Sequence, residues 1–293
     1  MPHKTSTVFL RGGLGNQFFQ WIYALNLSER GLSVALDKSF LRPLRGNQAI
    51  GEVELKNLFD DVQLPITARF THVGRAEPMY VRIAHVASFL LIEGRKPILP
   101  GKPRLHYGYY QTPRYYTPTV RAQVHRALKP QYGSKSHELF PRRLSDTAYA
   151  AVHLRGGDYM QSGYNFAELG VLSKEYYRKA LTAVAESNLP IVIVSDDERR
   201  ARNIVTEVGM NALAIHHLSD IVTNSNNPML ALSIMLNADQ LVCANSSFSA
   251  LCGYLNPRAK VFFPSPWFRG ESLDGTSPAL NNWHSLSSAF EFQ

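Results

Sequence analysis

Three short segments carry residue types at spacings that could do chemistry. His-Leu-Arg-Gly-Gly-Asp-Tyr fills positions 153–159, so His153, Arg155 and Asp158 leave the end of an apolar run close together. An arginine grips a diphosphate through two parallel N–H bonds, and a carboxylate three residues on can take a proton or orient a sugar hydroxyl. The same residues also suit a local Arg155–Asp158 ion pair around a glycine turn. Gly-Gly-Leu-Gly-Asn-Gln at 12–17 separates an apolar run from a helical pattern. Its glycines let backbone amides approach a ligand, and the helix start favours an anion; a plain tight turn fits the segment too. Ala-Asn-Ser-Ser-Phe-Ser at 244–249 puts Ser246 and Ser247 in the first turn of a helix. Hydroxyls and free amides there make an anion site, while Asn245 or Ser246 could simply cap the helix.

Other segments carry less. Ser195-Asp196-Asp197-Glu198 reads as a capping box, serine with glutamate three residues later. His216 and His217 lack a third ligand at metal spacing. No Asp-x-Asp occurs, which removes the simplest signal for a metal-bound nucleotide sugar. The turn at 12–17 is not a dinucleotide fingerprint, because Phe18 stands where the third glycine belongs. Asp37, following the next apolar run, still keeps a nicotinamide-binding protein open as an alternative. Tyr107, Tyr109, Tyr110, Tyr115 and Tyr116 cluster around His106 and suit either packing or a platform for a sugar or base.

The elements that must position these residues follow from periodicity. Ser6–Leu10 reads as a buried strand, Gln17–Arg30 as a helix with Phe18, Trp21, Ile22 and Leu25 on one face, and Leu32–Leu36 as the next strand. From 148 onward strands at 148–154, 190–194, 212–215, 240–244 and 260–263 alternate with a helix carrying Tyr176, Tyr177, Ala180, Leu181 and Val184 on one face and with helices at 195–208, 229–238 and 246–255. Ser173 stands at the cap of the first of these helices. Strands alternating with helices imply parallel sheets covered on both faces. The expected class is α/β, with two such parallel-sheet units at 1–143 and 144–293 and a ligand cleft between them. The stretch 42–143 is the less regular part, and Pro130–Arg143 is the most linker-like segment. Met79–Ile92 reads as a core helix, or as a membrane-surface helix.

Composition bounds the reading. The chain has 293 residues, 45% hydrophobic and 18% charged, which excludes a disordered or fibrous protein. Its formal charge of +8 suits an anionic partner: nucleic acid, an acidic membrane surface or a phosphorylated small molecule. The only two cysteines, Cys243 and Cys252, read as buried thiols in a reducing compartment. The N-terminus shows no signal-peptide pattern, and Gln240–Pro257 is uncharged but too polar for a membrane span. The expected location is cytoplasmic.

Taken in order, GGLGNQ followed by Phe-Phe-Gln, then HLRGGDY, then ANSSFS, the chain resembles the alpha-1,2-fucosyltransferase family, glycosyltransferase family 11, in its bacterial type. The resemblance runs from Val8 to about Phe268, with Val192–Asp197 similar to a further family segment. It implies a GT-B fold of two Rossmann-like domains, and metal-independent, inverting transfer of L-fucose from GDP-beta-L-fucose to a sugar hydroxyl, usually O-2 of galactose. It implies no cofactor, no metal and no nucleic-acid partner. A lipid-linked acceptor would place the reaction at the inner membrane face, where the basic charge suits peripheral association. By this resemblance His153 and Arg155 hold the pyrophosphate and Ser246, Ser247 and Phe248 line the nucleotide pocket. Asn16 and the turn Gly13–Gly15 face fucose and acceptor, and Asp158 is the first candidate base, orientation of Arg155 being its other reading. Three positions depart from the family pattern. Gly156 stands where a second arginine is usual. Met229-Leu230-Ala231-Leu232 lacks an acid-leucine pair, and Ala250-Leu251 replaces a double tryptophan. Another nucleotide sugar, or a non-catalytic GDP or glycan binder, are the alternatives these departures leave open.

Overall fold

The computed structural model describes residues 5–39, 41, 54–67, 105–135, 140–157, 165–209, 214–223, 227–270 and 277–291. The Met79–Ile92 segment and Asp158 lie outside these residues. The chain divides into two compact units, Met1–Lys129 and Pro130–Gln293. The division falls at the start of the Pro130–Arg143 segment, whose far end was the expected boundary.

The first unit holds a four-stranded parallel sheet of order β3-β2-β1-β4, from β1 (Ser6–Phe9), β2 (Val34–Asp37), β3 (Ile66–Thr67) and β4 (Leu105–His106). Helix α1 (Leu14–Glu29) begins inside the glycine turn, earlier than its apolar spacing suggests, and is buried nearly throughout from Leu14 to Leu27. A helix apolar on all sides belongs in a core. Trp21 explains the fit: its ring lies 4.6 Å from that of Phe59, just past α2 (Leu55–Leu58), and its Nε1–H donates to the Val62 carbonyl at 2.6 Å. Helix α3 (Pro118–Ala127) starts with Thr117 capping the Val120 N–H and proline in the first turn, the residue types that favour a helix start.

The second unit holds six parallel strands in the order β10-β9-β8-β5-β6-β7. These are β5 (Ala150–Leu154), β6 (Ile191–Ser195), β7 (Ile215–His217), β8 (Gln240–Val242), β9 (Lys260–Ser265) and β10 (His284–Ser287). Helices α4 (Lys174–Ala185), α5 (Glu198–Val208), α6 (Pro228–Leu236) and α7 (Ser247–Leu255) connect them. The face of α4 read from the sequence, Tyr176, Tyr177, Ala180, Leu181 and Val184, is the buried one. Both cysteines are free and buried, and burial pushes their thiols up in pKa.

The structure corrects three local readings. Helix α5 is capped by Asp197, whose carboxylate accepts the Arg200 N–H at 3.0 Å, not by a Ser195–Glu198 box. Strand β7 lies at Ile215–His217, so both histidines are strand residues. Strand β10 is unforeseen: His-Ser-Leu-Ser has no apolar run, because an edge strand need bury little. Among the described residues no helix is long and apolar enough to cross a membrane.

Gly253 in α7 gives a stability test. A Cβ there would stand 2.5 and 2.8 Å from ring atoms of Trp283. Gly253→Ala is expected to cost about 1–3 kcal/mol through overpacking, read as a lower midpoint in thermal unfolding.

Candidate functional site

Strands β5, β6 and β8 are parallel neighbours, so the loops at their carboxyl ends share one edge of the second sheet. That is why residues near 155, 196 and 246 meet although they are far apart in sequence. The loop after β5 has its backbone held at four successive points. Ser195 Oγ donates to the Leu154 carbonyl at 2.8 Å, and the Arg155 N–H donates to Tyr177 Oη at 3.4 Å. Arg200 Nη1 donates to the Arg155 carbonyl at 3.2 Å, and the Gly156 N–H donates to Asp196 Oδ1 at 2.9 Å. The other oxygen of Asp196 takes the Arg155 guanidinium at 2.6 Å, with both side chains a little over a quarter exposed (27% and 29%). One carboxylate thus holds the Gly156 backbone and the Arg155 side chain together. Arg200 is itself tied to the Leu172 carbonyl at 2.7 Å and to Glu291 at 2.9 Å. A preorganised cation of this kind loses little entropy when it meets an anion.

His153 sits below this loop, 3% exposed, with its ring 5.9 Å from that of Phe248. Burial, and then the Arg155 charge, hold its pKa down to about 3. His153 is therefore neutral near pH 7 and adds no positive charge to that of Arg155. An unfolded histidine takes its proton near pH 6.5, but the folded one resists to about 3. In that window the unfolded chain binds more protons, so stability falls as pH falls. The slope from this residue is expected to be about 1.4 kcal/mol per pH unit between roughly pH 6 and 4. Denaturant unfolding of His153→Asn across that range should show the slope reduced by that amount; an unchanged slope would contradict the buried neutral state.

At the third segment Ser246 Oγ accepts the Phe248 N–H at 3.3 Å, so Ser246 caps α7. Ser247 and Phe248 are partly exposed at the helix start. Asn245 reaches the other way, donating to the Leu169 and Gly170 carbonyls at 2.8 and 2.9 Å. The described part of the second unit thus brings His153, Arg155, Ser246, Ser247 and Phe248 to one sheet edge.

The glycine turn lies in the first unit, at the carboxyl end of β1. Gly12 has φ +72, and a Cβ there would stand 2.5 Å from Asn16 Nδ2, so glycine is required for Asn16 to fold back over it. Gly13 precedes α1 in extended backbone, and Gly15 is buried inside the helix. The helix start is not left open. The Leu14 N–H donates to Glu54 Oε2 at 2.9 Å, and the Glu54 N–H donates back to Gln17 Oε1 at 3.0 Å. Beside the turn the Arg11 guanidinium lies over the rings of Tyr107 and Tyr109, 4.7 and 5.1 Å from their centroids. Tyr110 is packing: it stacks on Tyr23 at 3.8 Å, and both are buried.

Sequence reasoning missed Asp196, Tyr177 and Arg200 in the second unit and Glu54 and Gln111 in the first. Only Asp196 left a signal, by lying in Val192–Asp197, the stretch similar to a further family segment. Among the described residues no three His, Cys, Asp or Glu side chains converge as a metal site would need.

Residues 95–284, more than half of the chain, match the family model of Glycosyl transferase family 11. The chain belongs to glycosyl transferase family 11. No curated protein matches it. Among solved structures, this family 11 chain is similar to fucosyltransferase NodZ from Bradyrhizobium, 10% identical, covering 89% of this chain and 95% of that one, with a TM-score of 0.53. NodZ alpha-1,6-fucosyltransferase soaked with GDP-fucose is also 10% identical, covering 87% and 93%, with a TM-score of 0.52. The same enzyme co-crystallized with GDP gives 10%, 89%, 94% and 0.51. At such identity the likeness carries the fold, which agrees with two parallel Rossmann-like sheets of the GT-B class.

Proposed function

We propose that this family 11 chain transfers L-fucose from GDP-beta-L-fucose to a sugar hydroxyl, with inversion and without a metal. The observation that carries the reading is the Arg155 loop, held at four backbone points at the edge of the second sheet, inside the residues that match the family. The NodZ structures bound to GDP-fucose and GDP support GDP-fucose as donor.

As the glycosidic bond breaks, negative charge grows on the departing diphosphate, and a fixed cation lowers that barrier. Arg155 supplies it, and the amides at the start of α7 add a partial positive charge. The second arginine usual in the family would need its neighbours to shift by a few tenths of an ångström at position 156. A Cβ there would stand 3.1 Å from Asp197 Cβ and 3.3 Å from Arg200 Cδ. Arg200 does not replace it, since its guanidinium is engaged by two carbonyls and Glu291. The donor charge therefore rests on Arg155 more heavily than the family pattern suggests. Inversion needs the acceptor hydroxyl on the opposite face of the fucose, and Asp158 is the candidate to take its proton. Galactose O-2 is the proposed acceptor atom, in a surface glycan that could be lipid-linked.

The test is a reaction in EDTA with GDP-fucose and a galactose-terminated oligosaccharide, its product analysed by NMR. An alpha-linked fucose on O-2 is expected. A beta linkage would overturn inversion, another position would overturn the O-2 assignment, and activity only with added metal would overturn metal independence.

A further inference from the structure

Gln111 carries a cost that the fold does not explain. It is 8% exposed, and its Oε1 is buried without a hydrogen-bond partner among the described residues. An orphaned buried acceptor destabilises a fold, and an apolar side chain of the same shape would remove that penalty. Among the described residues, the one hydrogen bond of its side chain runs from Nε2 to Asn16 Oδ1, at 3.0 Å. This bond decides the polarity of Asn16. A carboxamide has an accepting end and a donating end. With Oδ1 taken by Gln111, Nδ2 is the end left over Gly12, the glycine whose missing side chain makes that approach possible. Nδ2 has no hydrogen-bond partner among the described residues.

We infer that Gln111 is a positioning residue: by holding the Oδ1 end, it commits Asn16 to donate its Nδ2 hydrogens to a hydroxyl oxygen of the fucose or of the acceptor sugar. The inference rests on the proposed transfer of a sugar. A hydroxyl rather than a phosphate is assigned because of Glu54. Its carboxylate caps Leu14 in the same turn, and its Oε1 lies 4.0 Å from where a Gly13 Cβ would be. A phosphate at the turn would face that negative charge. A neutral hydroxyl would not.

The test separates polarity from packing with three variants. Q111M removes both the orphan and the hold on Asn16. Its melting temperature should stay level or rise while kcat/KM falls about tenfold, the size of one lost oriented bond. Q111E presents an acceptor where Nε2 donated, so the Asn16 amide turns over and its Oδ1 faces the ligand. Q111E also buries a carboxylate, so its kcat/KM is read beside its melting temperature and compared with that of Q111M. The inference expects Q111E to be at least as impaired. N16D keeps an oxygen for Gln111 but replaces the outward donor with an acceptor, and should lose about a hundredfold. GDP affinity, which involves neither the fucose nor the acceptor sugar, should be unchanged in all three. Near-normal kcat/KM in Q111M would overturn the inference, and so would a Q111E closer to wild type than Q111M. A parallel fall in GDP affinity would place the Asn16 donor on the nucleotide and overturn its assignment to fucose or acceptor.

Wild-type protein inactive with GDP-fucose would overturn the proposed function separately. The orientation is then read on the wild type and on Q111M from the Asn16 side-chain amide protons. These should exchange freely in the wild type. Slow exchange in the wild type that becomes fast in Q111M would show that Nδ2, not Oδ1, is the end Gln111 holds, and would overturn the inference.

Discussion

Arg155→Ala is expected to lower kcat with GDP-fucose by about 10²–10³-fold, the effect of deleting one preorganised charge stabiliser. Two features put the effect at the upper end. Glycine at 156 puts no arginine side chain beside Arg155, and Arg200 is engaged by two carbonyls and Glu291. His153 is held neutral by burial, so it cannot share the charge. The fold should survive, because the loop's backbone bonds to Ser195, Tyr177, Arg200 and Asp196 do not need the Arg155 side chain. Steady-state kinetics with thermal unfolding would check both halves. Unchanged kcat in a folded variant would remove Arg155 from the donor site.

Asp196→Ala should be the second most damaging change, with about a hundredfold loss in kcat/KM from a displaced cation. It removes the acceptor for the Gly156 N–H and the partner of the Arg155 guanidinium together. Asp196→Asn keeps an oxygen for Gly156 and loses only the charge, so it should fall between. The neighbouring acid is the control. Asp197 caps α5, and Asp197→Ala should cost about 1 kcal/mol of stability with little change in kcat. Equal effects of the two alanine variants on kcat would mean that both acids merely start a helix.

These neighbours show what the sequence makes legible. Apolar runs such as Ile191–Val194 and the spaced tyrosines of α4 announce their burial, because periodicity and core packing are the same fact seen twice. The three segments around Asn16, Arg155 and Ser246 are legible as well, since turn, cation and helix start each use distinctive residue types. What the sequence hides are partners from other elements. Nothing in Ser-Asp-Asp-Glu tells which acid turns back to Gly156 and which caps the helix. Glu54 closes the helix start of the glycine turn from forty residues away, and Gln111 reaches Asn16 from ninety-five. Strand β10 was invisible for a related reason: its neighbour β9 supplies the pairing, and its own side chains need not be apolar.

The measurement that tests the central claim most directly is a donor panel. The purified protein, in EDTA with a galactose-terminated oligosaccharide, is given GDP-fucose, GDP-mannose, UDP-galactose or dTDP-rhamnose in turn, and released nucleotide and product are followed by mass spectrometry. The account expects GDP release and a fucosylated product with GDP-fucose alone. Transfer from one of the other donors, with none from GDP-fucose, would contradict it.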